Sequence, residues 1–161
     1  MGVIIQFFRI IIQSAERMTI MELIPTEDGD FEERPATKAL PSDQVTMLLP
    51  YRSLFFDAAR DFEEETPNAE VTHHAAVIVI LRGRQKLGST AMGVFEEIAK
   101  TMRNRGSRLY LAEVSDSLRE QLERTGTLDE IGEENILPAG DKLQASLNRV
   151  YAEANQWLKN G

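Results

Sequence analysis

Six consecutive apolar residues, Ala76 to Leu81, constrain the fold more than any other stretch of the chain. The run is rich in β-branched side chains and lacks polar alternation, which is the pattern of a strand covered on both faces of its sheet. Such a strand lies in the middle of a domain. From Thr90 the apolar positions change period: Met92, Phe95, Ile98, Ala99 and Met102 recur every three to four residues and share a face only in a helix. Gly106 is a suitable stop, because glycine tolerates a left-handed turn and the cations Arg103 and Arg105 before it suit the negative end of the helix. Ala75 to Gly106 therefore predicts a buried strand, a glycine-containing loop and a helix that opens on Ser89 and Thr90.

Two roles are open to Ser89. It is a natural N-cap or first-turn residue, as Ser and Thr are in helices everywhere. The first amides of a helix also lack internal partners and carry the positive end of its dipole, so a phosphate, phosphoserine or carboxylate is stabilised there. Arg82, Arg84, Gln85 and Lys86 in the preceding loop put positive charge beside those amides. Together they could hold an anion or nucleotide weakly, or simply line a solvated loop. No Gly-x-x-x-x-Gly-Lys-Ser/Thr phosphate loop is present.

Downstream, Ser107 to Val114 reads as a second strand, and Ser115 as the cap of a helix from Asp116 to Arg124 with Leu118 and Leu122 on its buried edge. A short strand is expected at the centre of Glu134 to Pro138. A last helix from near Asp141 places Leu143, Leu147, Val150, Tyr151, Ala154, Trp157 and Leu158 on one stripe. Upstream, Thr19 to Ile24 and Val45 to Leu49 are strand candidates, the latter ended by Pro50. Ser53 would cap a helix from Leu54 to about Glu65, with Phe55, Ala58, Ala59 and Phe62 inward. The acidic segment from 26 to 42 carries turn formers and almost no apolar period, so it predicts a surface loop. Its spacing does not fit a calcium loop.

In this order, the residues from about Val45 onward resemble a STAS domain, the module shared by SulP-family anion transporters and bacterial anti-sigma-factor antagonists. The strand-loop-helix junction of that family usually reads Asp-Ser-Ser/Thr-Gly-Leu, and Gly88, Ser89, Thr90, Ala91 and Met92 stand at the matching positions. Leu-Glu-Arg-Thr-Gly (122 to 126) and Glu-Asn-Ile-Leu-Pro (134 to 138) fit the pattern further along. Met21 to Arg34 and Pro50 to Ala59 look like the cytoplasmic tail of SulP transporters. The resemblance implies an α/β, STAS-like fold: a mixed sheet of four to six strands with helices packed mainly on one face. It also implies a regulatory and interaction role in a SulP-type sulfate or anion transporter, on the cytoplasmic face of the inner membrane. Partners would be the transporter's transmembrane domain, a second copy of the chain, or a weakly held nucleotide or anion. Gly88, Ser89, Thr90, Arg84 and Lys86 are the residues it nominates as phosphoacceptor or as anion or nucleotide site. The departures are Gly88, where soluble antagonists carry an acidic residue, and Ala91, where the family has glycine. They weigh against the alternative reading, a freestanding anti-sigma-factor antagonist or stressosome-like phospho-switch. A small-ligand sensor is a third class.

Residues 1–17 stand apart from residues 18–161, which are expected to form the STAS domain. Val3 to Ile12 is strongly apolar with one charge, Arg9, and falls short of the ~20 residues that cross a bilayer. It reads as the cytoplasmic end of a membrane helix or a linker, with a core strand, an amphipathic helix, an interfacial anchor or a dimer contact as the other readings.

Composition narrows the function further. The chain has 161 residues, enough for one domain, and a formal charge of −8, which disfavours nucleic acid and anionic membrane surfaces. There is no cysteine, hence no disulfide framework, thiolate metal site or thiol nucleophile. His73 and His74 are adjacent, so on a strand they face opposite ways and cannot chelate one metal together. A neutral, solvated role in a loop is expected for them. No base is evident to activate Ser89 as a nucleophile. The sequence therefore predicts no catalytic residues, no metal, no cofactor and no enzymatic activity.

Overall fold

The computed structural model of the chain describes residues 20–35, 41–50 and 73–160. The apolar segment expected at 1–17, the helix expected at 54–65 and the strand-opening residue Thr19 lie outside them. Six strands form one sheet: β1 (Ile20–Pro25), β2 (Phe31–Pro35), β3 (Val45–Pro50), β4 (Ala76–Ile80), β5 (Arg108–Val114) and β6 (Ile136–Pro138). Their spatial order is β2-β1-β3-β4-β5-β6. β1 runs antiparallel to both β2 and β3, whereas β3, β4, β5 and β6 are mutually parallel. The sheet is therefore mixed, as the α/β reading requires.

The uninterrupted apolar run explains the place of β4. All five of its residues are buried, because it sits between two parallel neighbours with helices over both faces. Its period of two divides it: Val77 and Val79 point to one side, Ala76, Ile78 and Ile80 to the other. On the first side lie α1 (Ser89–Asn104), α2 (Asp116–Arg124) and α3 (Thr127–Ile131), which bring Phe95, Ile98, Met102, Leu118, Leu122 and Leu128 to the core. On the second side α4 (Leu143–Asn160) lays down Leu147, Val150 and Ala154. Three of the four described helices thus share a face. The stripe expected on α4 packs except at its start, where Leu143 stays 42% exposed.

Helix ends follow the local chemistry. α1 stops where Gly106 takes φ 70°, and Gly106 N and Ser107 N turn back to the carbonyls of Arg103 and Met102. Ser115 caps α2, its side chain accepting from Leu118 N.

Three expectations are corrected. The loop expected over 26–42 contains β2, whose Glu32, Glu33 and Arg34 are exposed because it is the sheet's edge strand and Phe31 alone is half-buried. Ser89 does not cap α1: Gly88 occupies the cap position with φ −70° and ψ 156°, and no side chain accepts there. His74 is not a solvated loop residue. It is half-buried, stacks on Trp157 with ring centroids 5.8 Å apart, and its Nε2 lies 2.9 Å from the carbonyl of Leu158.

β5 holds a feature that no periodicity announced. Leu109 and Leu111 face the three-helix side and Tyr110 and Ala112 the other, yet Val114 returns to the three-helix side. Glu113, at φ 57°, absorbs the change, and the pairing of β5 with β6 slips between Leu111 and Val114. It is a bulge, which re-aims a side chain at the rim of the sheet.

Candidate functional site

The candidate site lies where β4 and β5 end and α1 and α2 begin. After β4, Leu81 N still bonds to Ala112 O at 2.9 Å, and a turn closes with Arg84 N on Leu81 O at 3.1 Å. Gly83 sits third in this turn at φ 82°, a left-handed conformation that glycine adopts without strain. The remainder of the loop is held by α2. Gln121 grips Leu87 with both ends of its amide, accepting from Leu87 N and donating to Leu87 O, each at 2.9 Å. Ser115 Oγ donates to Arg84 O at 3.1 Å while it caps its own helix. With Leu87 buried, the loop is fixed at its start, middle and end.

This clamp delivers α1 to the surface. Gly88 and Ser89 are exposed, and Ala91 and Met92 behind them are buried. The first ladder bond runs from Met92 N to Gly88 O at 3.1 Å, so the amides of Ser89, Thr90 and Ala91 come before any intrahelical partner. No acidic residue stands in the first turn, so α1 itself supplies no carboxylate to offset the positive end of its dipole.

The loop cations divide. Lys86 is exposed, as is Gln85. Arg84 is half-buried and donates to Pro50 O at 3.3 Å, and desolvation lowers its guanidinium pKa from the ordinary value; arginine nonetheless stays charged. Arg82 is spent on the bulge: its Nη1 lies 2.5 Å from Glu113 Oε2 and donates to Gly140 O at 3.2 Å. Glu113 itself is 2% exposed, and a buried carboxylate needs such a partner. Of the nominated residues, Gly88, Ser89 and Lys86 are therefore exposed, and Arg84 is turned toward Pro50 at the end of β3. Thr90 is the second residue of α1.

Chemically the arrangement can accept an anion or a partner's acidic group. Both histidines lie near the start of β4, at the far end of the strand from Ser89. Among the described residues no group of three or more His, Asp or Glu side chains could hold a metal ion, and no helix is long and apolar enough to cross a membrane. Sequence reasoning recognised Ser115 as a cap but missed its hold on the loop. It missed Gln121 altogether, since a glutamine on a helix carries no signal of what it faces.

A family model described as the STAS domain matches residues 38–147, from before β3 into α4. The chain belongs to the STAS domain family. The solved structures similar to it include a sulfate transporter family protein from Wolinella succinogenes, with 25% identity over 71% of this chain and 92% of that one, at a TM-score of 0.50. Another is the STAS domain of a SulP transporter from Vibrio cholerae, with 20% identity over 75% of this chain and 91% of that one, at a TM-score of 0.48. No curated protein matches the chain. In this STAS domain the junction Gly88-Ser89-Thr90-Ala91-Met92 forms the start of α1, at the position where the sequence resemblance had put it. The β1–β2 hairpin lies outside the matched span.

Proposed function

We propose that this STAS domain is a non-catalytic regulatory and interaction module of a SulP-type sulfate or anion transporter, held at the cytoplasmic face of the inner membrane. In this reading residues 18–161 form the module and residues 1–17 link it to the transporter's transmembrane domain, which is its main partner. Contact is made through the start of α1 at Gly88, Ser89 and Thr90, flanked by Lys86. One observation carries the reading: α1 opens at the surface on a rigidly clamped loop, with exposed Gly88 and Ser89 and neither a side-chain cap nor a first-turn acid. Likeness to the Wolinella succinogenes sulfate transporter family protein supports the transporter setting.

A partner that meets this surface differently in two transporter states shifts their balance, and one that meets it equally shifts nothing. Regulation by charge follows from the same geometry. A phosphate on Ser89 brings about −1.5 to −2 charges to amides that already favour an anion, and so competes with an acidic group of the partner. The test is Ser89→Glu against Ser117→Glu, an exposed serine in the first turn of α2. Ser89→Glu is expected to alter binding to the transmembrane domain, or anion uptake by the assembled transporter, about tenfold, the worth of one charge-assisted contact. Ser117→Glu is expected to alter neither. Equal effects of the two substitutions would remove the start of α1 as the contact.

A further inference from the structure

On the side of the sheet that α4 covers, a groove of about 180 Å³ opens between the first turns of α4 and the strands β1 to β4. Leu23, Leu49, Ile80, Leu143 and Leu147 line it, with Phe31 at the β2 end. Leu143 is 42% exposed and is the one large exposed hydrophobic side chain among the described residues. The groove exists because α4 packs mainly on β3, β4 and β5. The β1–β2 hairpin is tied to α4 separately: Gln144 and Asn148 donate to Gly29 O at 3.1 and 3.0 Å, and Phe31 stands edge-on to Tyr151 with ring centroids 6.2 Å apart.

The polar lining divides by charge. Arg82 is held by Glu113 and Gly140 O at the β4 end, whereas Asp30 and Glu33 are exposed carboxylates at the β2 end. A complementary occupant therefore brings apolar side chains and a cation.

Topology selects what can lie there. The crossovers from β4 to β5 and from β5 to β6 run on the three-helix side, and the right-handed rule assigns that side to every crossover of the parallel run β3-β4-β5-β6. The groove's side is left to α4 and to the chain that enters β1. That chain arrives next to the groove, since Ile20 pairs with Pro50 and Met21 with Leu49, one of the lining residues. The run Val3 to Ile12, apolar but for Gln6 and Arg9, ends eight residues before Ile20. Eight extended residues reach about 28 Å, several times the ~5 Å between paired strands. The tether is ample. A benzene ring fits a cavity of ~150 Å³, so the groove takes one phenyl ring, that of Phe7 or Phe8.

We propose that Val3 to Ile12 docks in this groove, with Phe7 or Phe8 against Leu143 and Leu147 and Arg9 beside Asp30 and Glu33. This deepens the reading of residues 1–17 as a linker, because a docked linker fixes the orientation of the domain on its transporter. Its test needs the chain alone, so failure there leaves the contact at the start of α1 standing.

Because the chain has no cysteine, Leu143→Cys gives the full chain a single thiol in the groove, and Ser117→Cys gives a reference thiol at an exposed position of α2. Their alkylation by iodoacetamide is timed with and without the paired substitutions Phe7→Ser and Phe8→Ser. The pair is expected to speed alkylation at position 143 about tenfold or more, the worth of burying an aromatic side chain, and to leave position 117 unchanged. Arg9→Glu should speed it about threefold, and Arg9→Glu with Glu33→Arg should slow it again. In the chain without cysteine, Phe7→Ser with Phe8→Ser is expected to move the amides of residues 23, 31–33 and 143–147, a readout that does not depend on the thiol variant. Equal rates at position 143 in both backgrounds would overturn the proposal, as would amide shifts confined to other residues. Protection that disappears on about hundredfold dilution would also overturn it, since the occupant would then be a second copy of the chain.

Discussion

At the rim where β4 ends, the polar side chains are turned inward to hold backbone: Gln121 on Leu87, Ser115 on Arg84, and Arg82 on Glu113 and Gly140. What is left facing outward there is the start of α1, with the exposed Gln85, Lys86 and Ser89. At the rim where β5 begins the arrangement is reversed. Backbone is closed by the Gly106 turn, while the side chains of Arg103, Arg108, Glu134 and Asn135 line a cleft. A helix start on a loop held at both ends presents its amides and the side chains beside them in one fixed arrangement.

The largest expected effect tests whether the first rim is held by its buried ion pair. Arg82→Met leaves Glu113 buried without its partner. Loss of a fully buried partner costs ~3–5 kcal/mol, and because Arg82 is 40% exposed while Glu113 is not, a loss of about 2 kcal/mol is expected in urea unfolding. The double variant Arg82→Met with Glu113→Leu should recover more than half of that loss, because it removes the stranded charge. If the single variant is as stable as the parent, the bulge does not need its carboxylate neutralised.

Gln121→Leu comes next. It keeps the volume of the side chain and removes both bonds to Leu87, so a loss of about 1–2 kcal/mol is expected. The comparison is sharpened by where the loss appears. Hydrogen exchange at Leu87 and the loop from 82 to 88 should quicken, while Ser107 and Arg108 at the other rim keep their protection. Equal quickening at both rims would mean that the two form one cooperative unit.

How much of this was legible depended on whether a residue's partner lies near in sequence. The run Ala76 to Leu81 carries its own burial, and the spacing of Met92, Phe95, Ile98 and Met102 carries its own helix, so β4, α1 and the α2 cap at Ser115 could be read directly. β2 could not, because an edge strand that resists further pairing is built from residues such as Glu32, Glu33 and Arg34 that also make loops. α3 is five residues long, too short for a period to declare itself. The stripe on α4 announced a buried face without saying which side of the sheet it covers. Glu113 at φ 57° and the unpaired Oδ1 of Asn135 arise from long-range pairing, which no local pattern encodes. At the junction itself, the order Gly88-Ser89-Thr90 placed the helix start to within a residue, and misassigned only which of them caps it.

That misassignment gives the smallest and most discriminating measurement. Ser115 Oγ accepts from Leu118 N at 3.2 Å and donates to Arg84 O at 3.1 Å, so Ser115→Ala removes a cap and a loop tie together and should cost about 1–2 kcal/mol. Ser89 begins α1 as an exposed residue with no capping role, so Ser89→Ala should change stability by no more than about 0.5 kcal/mol. A serine held at a helix start without structural duty can be altered or charged without unfolding the domain, which is what a contact regulated at that position requires. If Ser89→Ala instead costs as much as Ser115→Ala, the hydroxyl is part of the fold, and a change of partner binding in any Ser89 variant would report damage to α1 rather than loss of a contact.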